Sequence, residues 1–348
     1  MGFKQLSIQV IVPARNEQDC LATCLDSLST QQGVDFRITV VDDESTDSTR
    51  SIAESFSGVR VIGSDTAMPG ATGKCNALIC GTREVQAEWL LFTDADTWHY
   101  PGSLAAALEE ARRSDADLLS YSPEQQVATW GEKALMPVVF SELAGVYPPT
   151  RVNDPADPIA AANGQYILVR RRVYEDLGGH SAIADKVLED VELARLFKSA
   201  GRKILFRHGT GLVRTRMYRN FPAMVEGWTK NLSLLFRHPV RLAIVRALEF
   251  VVVLVAGSSA VSLIARHHLI AGLACLLAAL LFYANFVMRI LSARFPWSAN
   301  LAAFWGLPLF SFLLLRSYVQ SEIRGAVRWK GRTYSQRAAR QVDSDSSI

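Results

Sequence analysis

The chain has 348 residues and a formal net charge of +3, enough length for one large domain or two ordinary ones with a buried core. Composition is globular on average, with 49% hydrophobic and 20% charged residues. None of the five cysteines has a histidine at zinc-ligand spacing, which excludes a zinc scaffold, and Cys20, Cys24, Cys75 and Cys80 read as reduced packing residues.

Ile8-Gln-Val-Ile-Val12 reads as a buried strand. It is too short for a secretory core and has no cleavage site after it, so the first two thirds of the chain are expected in the cytoplasm. Leu21, Cys24, Leu25 and Leu28 recur at helical spacing and predict a helix over Glu17–Ser29. Strands follow at Ile38–Val41, Val59–Ile62 and Trp89–Thr93, with helices at Asp47–Phe56 and Ala77–Val85 between them. This alternation implies crossover connections, a mostly parallel sheet and helices on both faces. Ligands in such sheets bind where strands end, and the acidic clusters of this chain fall there.

Val40-Val-Asp-Asp-Glu-Ser-Thr-Asp47 is the first cluster. Asp47 serves as a helix cap. Asp42 and Asp43 stand too early for that, and a carboxylate here can accept hydrogen bonds from a base or ribose. Pro69-Gly-Ala-Thr-Gly-Lys74 fails the Walker A spacing, because Cys75 follows the lysine. A glycine-rich approach to a helix start with Lys74 on it still suits a diphosphate, although a solvated loop fits the same residues. Asp94-Ala-Asp96 ends the strand at Trp89–Thr93 and can direct two carboxylates at one hard cation, Mg²⁺ or Mn²⁺. Solvated turn acids are the plainer explanation of such a tripeptide. Glu189-Asp190 opens a helical pattern through Val191, Ala194 and Phe197, where acids often do no more than favour the dipole.

Phe221, Met224, Val225, Trp228, Leu232 and Leu235 form a helical stripe beside Lys230, read either as core or as an interfacial helix. Trp130–Tyr147 is a possible acceptor lining, and Asn163-Gly-Gln165 a turn that borders it. Three stretches almost free of charge follow: Phe250–Ala265, Leu269–Met288 and Phe295–Leu315. The second and third match the roughly 20 residues that a membrane helix needs. The first is short unless Leu242–Leu248 extends it past Arg246 and Glu249, and it is the expected re-entrant or interfacial segment. Basic residues from Arg214 to Arg246 precede the block and others from Arg316 to Arg340 follow it. That placement assigns them to lipid headgroups rather than nucleic acid. Gln341–Ile348 is polar and expected to be disordered.

In this order, Val10-Ile-Val-Pro-Ala-Arg-Asn-Glu17, Val41-Asp-Asp-Glu-Ser-Thr-Asp47, Lys74, Asp94-Ala-Asp96 and Glu189-Asp190 resemble the motifs of inverting glycosyltransferases of family 2. The resemblance implies a GT-A fold, an α/β catalytic domain with a Rossmann-like, mostly parallel sheet, followed by C-terminal transmembrane helices. It places Pro13, Ala14, Arg15, Glu17, Asp43, Lys74, Asp94, Ala95 and Arg216 at a UDP- or GDP-sugar. It puts Mg²⁺ or Mn²⁺ on Asp94 and Asp96 and makes Asp190 the catalytic base. Asp42, Asn76, Glu189, Trp228 and Lys230 form a second tier around them.

Gly178-Gly-His180, Arg216-Met-Tyr218, Glu226-Gly-Trp-Thr-Lys-Asn231 and Trp329-Lys-Gly-Arg-Thr-Tyr334 resemble the membrane-bound subgroup of carotenoid-acid and hopanoid-associated transferases. The Gln-x-x-Arg-Trp motif of processive synthases is absent, which favours a single transfer. The expected organisation is a cytoplasmic catalytic domain over 1–237, a membrane region over 238–320 and a basic tail over 321–348. The implied partners are a nucleotide-sugar donor, a lipid acceptor and the cell-membrane bilayer. A polyprenyl-phosphate sugar transferase and a non-catalytic nucleotide-sugar-binding scaffold are the alternatives.

Overall fold

The order of apolar and polar residues along the first strand builds two cores at once. In β1 (Ile8–Ala14) Ile8, Val10 and Val12 face one way and Ile11 the other, as the two-residue period of a strand requires. The first face is covered by α1 (Leu21–Ser29), which turns Leu21, Leu25 and Leu28 onto it. The computed structural model describes residues 7–64, 68–329 and 332–335; the expected tail over 341–348 lies outside them.

The next elements are β2 (Phe36–Asp42), α2 (Thr49–Glu54), β3 (Val59–Gly63), α3 (Gly73–Gly81), β4 (Trp89–Phe92), β5 (Thr97–His99) and α4 (Ser103–Arg113). Then come β6 (Leu118–Ser122), β7 (Glu124–Gln125), α5 (Trp130–Val146), α6 (Pro149–Val152), β8 (Ile167–Arg170), α7 (Arg171–Asp176) and α8 (Glu189–Ser199). A seven-stranded sheet runs β3-β2-β1-β4-β8-β6, with β9 (Ile204–His208) at its edge. β1 to β4 are parallel, and β8 is antiparallel to both its neighbours. A small second sheet joins β5 and β7 to β10 (Val213–Thr215). The predicted strands hold. The helices start or stop up to about four residues from their expected ends. The Thr72 side chain accepts from Cys75 N at 3.2 Å, so α3 opens at Gly73 and carries Lys74 in its first turn.

The chain divides into two compact units, Met1–Gln126 with Tyr147–Met217, and Val127–Val146 with Tyr218–Ile348. The second unit therefore takes α5 out of the middle of the first. It continues with α9 (Phe221–Asn231), α10 (Pro239–Ala265), α11 (Leu269–Leu291), α12 (Trp297–Ala302), α13 (Leu307–Tyr318) and a backbone hairpin of β11 (Ala326–Trp329) and β12 (Arg332–Ser335).

Among the described residues, three helical stretches in the second unit are long and apolar enough to cross a membrane: Pro239–Ala265, Leu269–Leu291 and Trp297–Ile323. Val261, Ile270, Leu281 and Met288 stand largely exposed on the first two, the surface that hydrocarbon rather than water would solvate. The expectation of a short first segment is corrected here, since α10 runs for 27 residues. Its two charges are accommodated by pairing. Arg246 donates to Glu142 of α5 at 2.7 and 3.2 Å and to Glu249 at 3.1 Å. Arg289 of α11 donates to Glu249 at 2.7 Å and stands 3.1 Å from Glu142. Two carboxylates and two guanidiniums thus neutralise one another inside an apolar bundle.

The third stretch is the most enclosed, with half of its apolar window buried. Gly306 permits this, because a Cβ on it would overlap the Ala134 carbonyl of α5. Gly306→Ala is expected to lower the melting temperature by several degrees in detergent, the consequence of about 1–3 kcal/mol of overpacking. A variant that melts with the wild type would show that the backbones can separate there at no cost.

Candidate active site

Where β1 and β4 end, four segments remote in sequence meet. Lys74, in the first turn of α3, places its ammonium 2.7 Å from Asp94 Oδ1 and 2.7 Å from Glu189 Oε1. Asp94 follows β4 directly, and Glu189 is the first residue of α8. Gly164 N donates to Asp190 Oδ2 at 3.0 Å, and Val191 N donates to Asp190 Oδ1 at 2.8 Å. Pro13, Lys74, Asp94, Gly164, His180 and Glu189 line one small cavity, with Leu78, Phe92 and Ile167 among its apolar walls.

The electrostatics follow from crowding like charges into a partly dry place. Burial pushes the Asp190 carboxyl up to about 6, Glu189 adds to the rise, and Lys74 with the two backbone donors opposes it. Burial likewise raises Asp94, against the pull of Lys74. For Lys74, burial alone would weaken the ammonium, but Asp94 and Glu189 outweigh it and hold the pKa well above the usual lysine range. Lys74 is therefore a permanent cation. His180 is driven down to about 4 by burial and stays neutral, with its Nδ1 2.9 Å from the Tyr174 hydroxyl.

Four of the residues expected at a nucleotide, Ala14, Arg15, Glu17 and Asp43, surround the end of β2. Asp43 N donates to Ala14 O at 2.8 Å, and Arg15 Nη1 donates to Asp43 O at 2.7 Å. The Arg15 guanidinium also stands 3.6 Å from the carboxylates of Asp43 and Glu44. Ser64 Oγ donates to Asp43 Oδ1 at 2.8 Å. Asn76 ties this end to α3, donating to Ser64 O at 3.0 Å and accepting from Met68 N at 3.0 Å. Asp42 accepts from Ser45 N at 3.3 Å, and Glu17 N donates to Thr49 Oγ1 at 2.7 Å. These hydrogen bonds tie the loop after β2 to β1 and, through Ser64, to α3, and the loop after β1 to α2.

Ala95 is buried in the first core. Asp96 is fixed through its backbone, with its carbonyl accepting from Thr215 Oγ1 at 3.1 Å. Gln165 Nε2 donates to the same hydroxyl at 3.2 Å, and Thr93 Oγ1 donates to Gln165 O at 2.8 Å. This buried polar chain links the acidic loop to β10, and Arg216 follows one residue later. Trp228 and Lys230 lie on α9 in the second unit.

Glu189, expected in the second tier, shares Lys74 with Asp94 at the same distance. Gly164 and His180 carry no role in the sequence reading. The only signal for Gly164 was a turn, and its importance lies in space. A Cβ there would stand 3.0 Å from Lys74 Nζ, 3.4 Å from Glu189 and 3.5 Å from Asp190.

Among the described residues, no group of three or more His, Cys, Asp or Glu forms a metal cage. Asp94 and Asp96 supply the hard carboxylate oxygens that Mg²⁺ and Mn²⁺ commonly take alongside water and phosphate.

An α/β sheet with acidic strand ends is thus joined in one chain to helices long and apolar enough to cross a membrane. Residues 9–178 match the family described as glycosyl transferase family 2, so the chain carries a family 2 glycosyltransferase domain. The 4,4'-diaponeurosporenoate glycosyltransferase of Staphylococcus haemolyticus is 32% identical over 244 residues, covering 67% of this chain and 62% of that protein. The protein of the same name from Staphylococcus aureus strain USA300 is 27% identical over 351 residues, covering 96% and 90%. A mannosyltransferase from Pyrobaculum calidifontis, solved with GDP-Man and Mn²⁺, superposes with a TM-score of 0.51 at 18% identity, over 91% of this chain and 87% of that one. The fold is GT-A.

Proposed function

We propose that this protein is an inverting glycosyltransferase that moves one sugar from a UDP- or GDP-sugar to a lipid acceptor of the carotenoid-acid or related isoprenoid kind at the cytoplasmic face of the cell membrane. The observation that carries the proposal is the meeting of Lys74, Asp94 and Glu189 in one cavity, with Asp190 bonded to the backbone of the cavity's Gly164. The names of the relatives and the three apolar helices support an apolar acceptor. The buried Asp43, hydrogen-bonded to Ala14, Arg15 and Ser64, supports a nucleotide at the end of β2.

In this reading the acceptor oxygen attacks the anomeric carbon as the bond from that carbon to the diphosphate breaks, and the bonding pair leaves with the phosphate. Asp190 takes the proton of an acceptor hydroxyl, its carboxylate held in one rotamer by Gly164 N and Val191 N. An acceptor that is already a carboxylate needs orientation more than deprotonation. Lys74 meets the negative charge that develops on the leaving diphosphate. A divalent cation on Asp94 and Asp96, when bound, would supply further positive charge to that leaving group.

The test is a panel of nucleotide-sugars offered to the detergent-purified protein with membrane lipids, with and without Mn²⁺ or Mg²⁺. One donor should release its nucleoside diphosphate in a metal-dependent way, and Asp94→Asn should abolish that release. No release from any donor, together with intact nucleotide binding, would favour a scaffold instead.

A hydroxyl acceptor also fixes a pH dependence. Asp190 is a base only as the carboxylate, and its pKa is raised to about 6. Below that pH it is protonated and inactive, so kcat/KM should fall about tenfold per unit below pH 6 and level off above it. An acid limb near 4, the ordinary carboxylate range, would remove Asp190 from the role.

A further inference from the structure

We propose that Lys74 is an internal cation that occupies the Asp94 carboxylate while no donor is bound, and that the donor diphosphate draws it away and frees Asp94 for a divalent ion. The inference rests on the reading above that a nucleotide diphosphate and a hard cation meet at this loop.

The geometry is that of an occupied ligand. The Lys74 ammonium lies 2.7 Å from Asp94 Oδ1, a full ion-pair distance on an oxygen that a metal would need. Glu189 Oε1, also at 2.7 Å, holds the same ammonium from the other side, so Lys74 is clamped rather than waving in solvent. Asp94 and Lys74 keep 28% and 32% of their side-chain surface, enough for a ligand to reach both. Gly164 closes in from the third side, where a Cβ would stand 3.0 Å from Nζ.

Two cations cannot share Asp94 Oδ1 at contact distance without strong repulsion. A free divalent ion at this carboxylate must therefore displace Lys74 or sit close to its ammonium on Oδ2, and in either case Lys74 gains nothing in return. A diphosphate changes this balance, because it offers Lys74 new anionic oxygens and offers the metal the rest of its shell. Glu189 provides the pivot, keeping the ammonium near the site while its Asp94 contact is exchanged. Metal and donor should then bind together, each strengthening the other by the same factor.

The test uses the full chain in detergent and Mn²⁺ binding followed by electron paramagnetic resonance, so that it does not depend on turnover. Mn²⁺ alone should bind Lys74→Met about tenfold or more tighter than the wild type, as freeing a partly buried carboxylate from its partner implies. With UDP or GDP present the order should reverse, because the variant has lost its diphosphate contact. Lys74→Gln should behave like Lys74→Met, and both should keep the wild-type far-ultraviolet circular dichroism, which excludes misfolding as the cause. Equal affinities of wild type and variants for Mn²⁺ alone would overturn the exchange while leaving a metal site standing. Absence of Mn²⁺ binding to the wild type even with either nucleotide would instead remove the metal from the proposed function, and the exchange with it.

Discussion

With a hydroxyl acceptor, Asp190→Asn is expected to lower kcat by about 10²–10⁴-fold, the usual worth of a positioned general base, while the nucleotide-sugar Kd changes little. The two carboxylate oxygens accept from different backbone donors, Gly164 N and Val191 N. Asparagine can satisfy only one of them, and its amide will face the other at a cost of about 1–3 kcal/mol. Removing the negative charge beside Glu189 offsets part of that cost, because the crowding that raises the Asp190 pKa also opposes its charge. The variant should therefore fold and bind donor. Turnover and binding measured on one preparation separate the roles. If both fall together, Asp190 is structural. A loss of less than about tenfold would point to an acceptor that arrives already ionised, as a carotenoid carboxylate or a polyprenyl phosphate does, since such a nucleophile needs little help from a base.

The second large effect lies in the membrane-type unit. Glu249→Ala should destabilise the protein by about 3–5 kcal/mol, because it leaves two guanidiniums sharing one carboxylate in an apolar bundle. Glu249 is only 6% exposed and accepts from both Arg246 and Arg289. The expected readout is a fall of about 10 °C in the melting temperature in detergent. Glu249→Ala with Arg289→Ala should recover part of the loss, since removing a partner from each sign restores balance, and that non-additivity reports the pairing directly. Melting within a degree or two of the wild type would mean that water or detergent reaches the cluster and screens it.

The catalytic sheet was legible because its signals are local. A two-residue period with helices between strands leaves little choice but a parallel sheet, and strands β1 to β4 lie where that pattern put them. The antiparallel β8 was not legible, because Ile167–Arg170 is a short run of four whose direction depends on the chain that precedes it. Carboxylates at strand ends were visible as a set. Their mutual distances were not, and neither was the sharing of Lys74 between Asp94 and Glu189. That arrangement depends on three segments and on the glycine at 164. The first apolar helix looked short for a related reason. Arg246 and Glu249 read as interruptions until Glu142 and Arg289, distant in sequence, supply their partners.

The excursion of α5 bears on how this chain can be made and cut. Its buried face, with Leu135, Val138 and Val139, is completed by helices translated long after it. During synthesis that face must wait, exposed or chaperoned, until α13 is made. For the same reason no single truncation point separates a water-soluble catalytic fragment from the membrane part. Stopping at residue 217 or 237 would keep an apolar helix in the middle of the chain and discard what covers it. A soluble version would need α5 excised or its apolar face rewritten as well.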